Sequence, residues 1–300
     1  MPHDPHDPHD PHDPHDPHDP HDPHDPHGSH DSHDSHGLGG AAFGSDPGRN
    51  PLPVPADPLG RWLRAVALGG QGRYAQARAE LEPLRRMSAT EPAVASLAAS
   101  TQASLLRQLG AHALASGYDG AALALIGMTR TGDRWWHEAR CDALTGLAAD
   151  ALGCGRLALG RTLLVRCEAY LSAVGEPDTL WRQYVRLHWV TAEIALAAGD
   201  FAAATVHAQA AVDRSADCPS VRHRIKSELL FAASATGRPE PDLALETAER
   251  VLVDAGAHGL LPLRWAAAML VDGVRPDPAA RAIRDECADA IARRGGRFSK

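Results

Sequence analysis

A pairing of helices around a glycine turn recurs through most of this chain and limits the folds open to it. In each unit, small residues at helical spacing precede a glycine turn, and a second helix with Ala or Leu along one side follows it. The turns lie 36 to 45 residues apart, at Gly72, Gly110, Gly155, Gly199 and Gly237, with a looser one at Gly273. A hairpin of two helices is too thin to bury its own apolar face, so units of this length must stack on one another. The spacing therefore predicts a helical solenoid over residues 58–294.

The start of the array is marked by a helix-capping pair. Asp57 is a good N-cap residue, and Pro58 fits the first helical position because its missing N–H would be unpaired there anyway. The same pair returns at Asp277-Pro278. Ala and Leu dominate the residues in between and favour helix by propensity. Upstream, residues 41–57 are rich in Gly and Pro, and we predict that they form a linker.

The fourth unit, HWVTAEIALAAGDFAAATVHAQAAVD, carries the pattern most clearly. Its small helix residues, its turn and the aromatic residue after the turn are Ala192, Ala195, Gly199, Asp200, Phe201, Ala204, Ala208 and Ala211. This unit resembles a tetratricopeptide repeat. The first unit is similar, with Ala65, Leu68, Gly72, Tyr74, Ala77 and Leu81. The second unit departs from the family, because His112 replaces the usual aromatic residue and Asp119 stands where a large apolar residue is expected. The units also exceed the family's usual length of about 34 residues, and its consensus proline is mostly missing.

The resemblance implies an all-α fold, namely a right-handed superhelix of about six helical hairpins, or about twelve helices, after a disordered tail. In this family the first helix of each hairpin lines a concave surface, and most members bind a peptide or a protein surface there. Longer, degenerate repeats of this kind resemble the helical arrays attached to bacterial transcription regulators. We therefore expect a non-catalytic protein–protein interaction module or adaptor with a role in bacterial regulation, by fold analogy.

By the same analogy, the first helices of the fourth and fifth units supply the binding groove. The residues expected to contact the partner are Arg182, Arg186, Trp189, Glu193, Arg222, Arg224, Lys226 and Ser227. Together they would form a basic patch with an aromatic wall, suited to an acidic peptide or a carboxylate. The alternative is that these arginines are ordinary solvated surface residues and that Trp189 fills a seam between two repeats.

Residues 1–40 differ in composition from the rest and are predicted to be a disordered tail. Twelve His recur at every third position up to His36, together with ten Asp and no Lys or Arg. Every Asp of the HDP run precedes a Pro, which favours an extended, polyproline II-like chain with too little apolar surface to fold. Imidazole suits Zn, Ni or Cu, and chelation is easiest where Ser and Gly replace Pro. The candidate metal ligands there are His24, His27, His30, His33 and His36.

Metal buffering or chaperoning through the tail is therefore the second expected function, and the helical body is expected to require no cofactor. Two other interpretations of the tail stay open. Because free His titrates near pH ~6.5, the tail could respond to mild acidification. A perfect three-residue repeat can also arise by replication slippage and persist as inert disorder.

Charge and cysteine content narrow the partners and the location. With neutral His the tail carries −10 and the whole chain −8, which leaves residues 41–300 near +2. We therefore expect no nucleic-acid partner, since the body has no bulk basic charge and residues 295–300 form only a short basic end. No apolar run approaches the ~20 residues of a membrane span, so no membrane partner is expected. Five scattered Cys without a CxxC pair are typical of reduced thiols in a cytoplasmic protein.

The stretch RWWHEARCD is the one candidate for metal-dependent catalysis. His137 and Cys141 lie four residues apart with Glu138 beside them, but a zincin needs a second His and a third ligand. The favoured interpretation is that Trp135 and Trp136 begin a helix and pack, with His137 at the surface. No phosphate-binding loop or nucleophile motif occurs elsewhere, so an enzyme with its site in the helical groove is the third and least favoured possibility.

Overall fold

The computed structural model describes residues 37–127, 132–237 and 242–299. Those residues contain thirteen α-helices and no strand, which confirms the all-α fold for this part of the chain. In chain order the helices are α1 (Leu38–Phe43), α2 (Pro58–Gly70), α3 (Tyr74–Arg85), α4 (Pro92–Arg107), α5 (His112–Ile126), α6 (Arg134–Gly153), α7 (Leu157–Val174), α8 (Trp181–Ala197), α9 (Phe201–Ala216), α10 (Val221–Ala235), α11 (Asp242–Ala257), α12 (Leu261–Val274) and α13 (Pro278–Arg293). None of these helices is long and apolar enough to cross a bilayer.

The helix starts follow the capping chemistry in the sequence. The Asp57 carboxylate accepts a 2.6 Å hydrogen bond from the backbone N–H of Gly60, with Pro58 in the first turn, so the predicted start of α2 is confirmed. Asp277 caps α13 in the same way, by accepting from the N–H of Ala279 at 2.9 Å. Each cap satisfies an amide that the helix itself leaves unpaired, which is worth about 1 kcal/mol.

Most of the predicted glycine turns occur where expected. The turns after α2, α4, α6 and α8 contain glycines with φ between +71° and +83°, a left-handed conformation that other residues adopt only with strain. They are Gly72, Gly110, Gly155 and Gly199. The sequence predicts the last turn at Gly273, but this residue lies inside α12. The turn between α12 and α13 comes later, just before the Asp277-Pro278 cap of α13.

Each helix packs against the next one in the chain, and the even-numbered helices also pack against one another from α2 to α12. The even-numbered helices therefore form an inner layer, and the odd-numbered helices from α3 onward lie outside it. Small residues at the crossings are fully buried, as at Ala192, Ala204 and Ala208 between α8 and α9. Such residues allow close approach of the helix axes, so the packing has the cause that the sequence pattern suggested.

The two ends of the helical array are joined by hydrogen bonds. The backbone N–H of Ala75 in α3 donates to the carbonyl of Arg294 at 2.9 Å, and the N–H of Ser299 donates to the carbonyl of Leu109 at 2.8 Å. Arg78 also donates to the carbonyl of Gly295 at 2.6 Å. The C-terminal residues thus join the last hairpin to the first two.

The segment before α2 is not a simple linker. Helix α1 crosses the boundary placed at residue 40, and its Leu38, Ala41 and Ala42 are buried in the core around α2. Gln71 donates to the carbonyls of Pro47 and Arg49, at 2.9 and 3.0 Å. Because these small apolar residues have a surface to pack against, residues 37–57 are ordered on the array rather than spacing it from the tail.

A buried ion pair accounts for the departure of the second repeat unit from the family pattern. Asp119 of α5 is fully buried, and Arg107 of α4 reaches it at 2.9 Å and Asp150 of α6 at 2.6 Å. Gly146 of α6 faces the Asp119 carboxylate, which leaves no room there for a side chain. A salt-bridged carboxylate therefore occupies the position that an apolar plug fills elsewhere.

Candidate functional site

A cavity of about 640 Å³ lies on the inner side of the array. Every even-numbered helix from α2 to α12 lines it, while α7, α9 and α11 contribute nothing to its wall. The first helix of each hairpin thus faces the cavity. A volume between about 300 and 1,000 Å³ is the range of small-ligand sites.

Basic residues from α8 and α10 form one side of the cavity. Arg182 and Arg186 lie four residues apart on α8, and Arg222 and Lys226 are spaced identically on α10. Residues four apart share a helix face, so both pairs project inward. We call these four residues the basic cluster.

Arg182 is a structural member of the basic cluster, because its charge is already matched. Its guanidinium donates to Glu138 at 2.6 Å and to Asp142 at 2.8 Å, and only 5% of the residue is exposed. It also lies over the rings of Phe43 and Trp62, at 4.8 and 5.7 Å from their centroids. The two carboxylates fix α8 against α6 and raise the pKa of Arg182 despite its burial.

Arg186 shares a carboxylate that Arg182 already binds. Its Nε lies 3.2 Å from Asp142 Oδ1, but not in hydrogen-bonding geometry. Burial lowers the pKa of Arg186, and the neighbouring charge of Arg182 lowers it further, against the opposing effect of Asp142. The side chain therefore holds a positive charge that its surroundings satisfy only in part.

Lys226 has one partner and one aromatic neighbour. Its Nζ lies 3.4 Å from Glu193 and 4.5 Å from the centroid of the Trp189 ring. The ring faces a cation, which is a favourable electrostatic arrangement. Burial lowers the pKa of Lys226, and the carboxylate of Glu193 opposes that shift.

Arg222 differs from the rest of the basic cluster. Among the residues that the structure describes, no carboxylate lies within salt-bridge distance of it. Its side chain crosses the inner face of α2, where a methyl group on Gly70 would come within 3.4 Å of it. Burial lowers the pKa of Arg222 to about 10, and repulsion from Arg186 contributes.

A neutral histidine lies between the basic cluster and the aromatic residues. His223 is buried, its Nδ1 is 2.8 Å from the hydroxyl of Ser220, and its ring stacks on Trp189 with centroids 5.0 Å apart. Burial holds the pKa of His223 well below its usual value, and the surrounding cations add to this, Arg222 first. His223 therefore contributes packing and polarity, but no charge at neutral pH.

Apolar residues, several of them aromatic, also line the cavity. Trp265 of α12 stacks on Phe298 with ring centroids 4.4 Å apart. Trp62 of α2 is fully buried and donates through Nε1 to the Thr101 hydroxyl at 2.9 Å. The cavity thus combines cationic and aromatic side chains, which suits a ligand that has both a negative charge and an apolar group.

Six of the eight residues expected in the groove line this cavity: Arg182, Arg186, Trp189, Glu193, Arg222 and Lys226. Arg224 does not, since it donates to the carbonyl of Cys218 at 3.1 Å instead. Ser227 is buried and accepts a 2.9 Å hydrogen bond from Trp189 Nε1. The sequence-based interpretation missed the aromatic residues of α2, α12 and the C-terminus, although their rarity in an Ala-rich chain was a usable signal.

The RWWHEARCD stretch forms the start of α6 and is structural. Trp135 and Trp136 pack against the core as expected, but His137 is buried rather than exposed, with Nδ1 2.7 Å from the Tyr170 hydroxyl. Glu138 binds Arg182 and Arg134. In the described ranges no cluster of three or more His, Cys, Asp or Glu side chains is arranged to hold a metal ion. The candidate tail ligands His24 to His36 lie outside the described residues.

The chain matches no protein-family model and no curated protein at a significant level. The resemblance to tetratricopeptide repeats therefore depends on the residues and the helix packing alone.

Proposed function

We propose that residues 37–299 form a tetratricopeptide-like, right-handed superhelical binding module without catalytic activity, which takes a short acidic segment of a partner protein into the cavity. The observation that supports this most is the basic cluster on neighbouring turns of α8 and α10 beside an apolar wall. Arginine and lysine in such a setting recognise carboxylates by charge-assisted hydrogen bonds, and the aromatic wall binds apolar side chains.

The size of the cavity limits what such a partner can insert. A standard protein–protein interface covers about 800 Å² on each side and is nearly flat. A cavity of about 640 Å³ instead accommodates a few residues of an extended peptide. The proposal is therefore recognition of a short segment rather than of a folded surface.

Anisotropy titrations of the full chain with labelled four- or five-residue peptides test this proposal. Peptides with Asp or Glu beside Leu or Trp should bind at least tenfold more tightly than matched peptides with Asn or Gln. Lys226→Glu reverses a charge inside the cavity and should abolish the preference, whereas Arg224→Glu reverses one on the same helix outside it and should not. Equal behaviour of the two variants, or no preference for acidic peptides, would count against the module.

Metal binding by the tail is a second proposed function, favoured by one observation, the twelve His at every third position. The experiment is calorimetry of the full chain with Zn²⁺ and Ni²⁺, compared with a full-length variant in which all twelve are Gln. Micromolar or tighter affinity that disappears in the variant is expected. Millimolar affinity, or equal affinity of the two chains, would contradict metal binding as a function of the tail.

A further inference from the structure

The cationic residues around the cavity differ in how well their charge is compensated. Arg107 pairs with Asp119 and Asp150, Arg182 with Glu138 and Asp142, and Lys226 with Glu193. Arg186 shares Asp142 with Arg182. In the part of the chain that the structure describes, Arg222 alone among these five cations has no carboxylate partner.

The setting of Arg222 makes an unmatched charge costly. The side chain lies against the backbone of α2 at Gly70, beside Tyr74, whose hydroxyl donates to Gln108 at 3.1 Å and is thus already engaged. Arg186 and Arg182 are both cations, and both repel it. A half-buried cation without an anion is unfavourable, so an added anion beside Arg222 would be stabilised.

The lining of the cavity also restricts which other groups a bound anion can carry. Among the described cations of the cavity wall only Arg222 lacks a carboxylate, so a second acidic group on the ligand would approach Asp142 or Glu193, which also line the cavity. The lining also includes partly exposed apolar residues that such a ligand can touch, among them Trp265 and Phe298. One negative charge and an apolar body therefore fit the lining better than several charges do.

We infer that Arg222 binds a single carboxylate whose adjoining apolar group packs on the aromatic residues that line the cavity. This inference rests on the proposed function and narrows its ligand class. The carboxylate can come from the C-terminus of a partner chain with an apolar last residue, or from a free apolar acid. In both cases the planar guanidinium pairs with the two carboxylate oxygens, a geometry that Lys cannot reproduce.

Three probes of the full chain distinguish the sources of the carboxylate. The first is a tetrapeptide that ends in Leu-Trp with a free carboxyl terminus, compared with its C-terminal amide. The second is dodecanoate, compared with dodecanol. The third is an amidated tetrapeptide that carries Asp at an internal position next to Leu and Trp. A gain of tenfold or more for either free acid over its neutral counterpart supports the inference and identifies the source.

Equal binding of acids and neutral counterparts would overturn the inference. Binding of the internal Asp peptide without any preference for the terminal acids would overturn it too, but would leave the proposed acidic-segment module intact. Absence of binding by all three probes would overturn both.

Variants at Arg222 separate ligand recognition from folding. Arg222→Met should remove the preference for the free acid, and Arg222→Lys, which keeps a charge, should retain part of it. Arg224→Met, on the same helix but outside the cavity, should leave the preference unchanged. The free acid should raise the melting temperature of the wild-type chain and not that of Arg222→Met. A ligand-induced shift of equal size in both would contradict a role for Arg222 in recognition.

Discussion

At the scale of single residues, helical spacing explains both the successes and the errors of the sequence-based site. Each residue advances about 100° around a helix, so Arg222 and Lys226 share a face, while Arg224 lies on the other side of α10. That exclusion was available from the sequence. That no described carboxylate pairs with Arg222 was not available, because it depends on which carboxylates α6 and α8 bring to the cavity.

Replacing Arg222 should stabilise the empty protein. Its pKa is lowered to about 10, which means that the folded state disfavours its charge at every pH below that value. Arg222→Met keeps the methylene stem and removes the charge, so the free energy of unfolding should rise by roughly 1–2 kcal/mol. Urea unfolding at pH 7 measures this, with Arg224→Met as the control that should not gain stability. A clear loss of stability in Arg222→Met would show that the charge is compensated after all.

Asp119 should make the stability of the fold depend on pH. Burial raises the pKa of Asp119 to about 7, against the opposing effect of Arg107. Between about pH 4 and pH 7 the folded state therefore holds a proton that the unfolded chain releases, so this residue's contribution falls as the pH rises through that window. Asp119→Asn removes the titration.

From pH 5 to pH 8, the wild type should lose about 1 kcal/mol or more of unfolding free energy relative to Asp119→Asn. Urea unfolding of both chains at the two values measures it. The exposed Asp285 provides the control, since Asp285→Asn should give a nearly constant difference. A constant difference for Asp119→Asn would mean that its carboxylate stays ionised throughout.

At the scale of helices, those that begin at a capping residue or follow a glycine turn could be predicted from the sequence. Helix α1, which was missed, has only weak signals of this kind. Asp57, Pro58 and the turn glycines act locally, so their effect can be read from a few neighbouring residues. Helix α1 has only six residues and no side-chain cap, and it exists because α2 offers it an apolar surface. That surface is a product of the tertiary fold, and no short stretch of sequence contains it.

Two glycines should respond in opposite ways to alanine. Gly146 of α6 faces the Asp119 carboxylate, so a methyl group there would displace the buried ion pair and cost about 1–3 kcal/mol. Gly117 of α5 faces open space, and Gly117→Ala should stabilise the helix by up to about 1 kcal/mol. Thermal unfolding of both variants measures the two shifts. Similar shifts of the same sign would mean that packing at the α5–α6 crossing does not restrict the size of residue 146.

At the scale of the whole helical array, the stacking of hairpins followed from their spacing, but the meeting of the two ends did not. Closure depends on the small rotation between successive hairpins, summed over the array, and no single repeat encodes that sum. It also depends on residues 294–299, which carry no repeat pattern and contact α3 and the turn after α4. The cavity is therefore a property of the assembled array, although most of its basic lining was visible in two short stretches of sequence.

Removing residues 295–300 should loosen this closure. The deletion eliminates the Arg78 and Ser299 hydrogen bonds to the opposite end and the stacking of Phe298 on Trp265, and we expect a loss of about 2–4 kcal/mol. When the two ends no longer meet, each hairpin contacts only the hairpins next to it in sequence. Unfolding should therefore also become less cooperative. The urea dependence of unfolding should be shallower than in the full chain.

Hydrogen exchange locates the effect of that deletion. Amides of α2, α3, α12 and α13 should exchange faster. Those of α6 to α8 should keep their protection, because none of the described hydrogen bonds of residues 294–299 reaches these helices. Arg297→Ala changes an exposed residue of the same segment without touching the closing contacts, and it should behave like the wild type. Uniformly faster exchange along the chain would indicate global destabilisation, and unchanged exchange would show that the ends hold together through α1 and the α2–α3 turn instead.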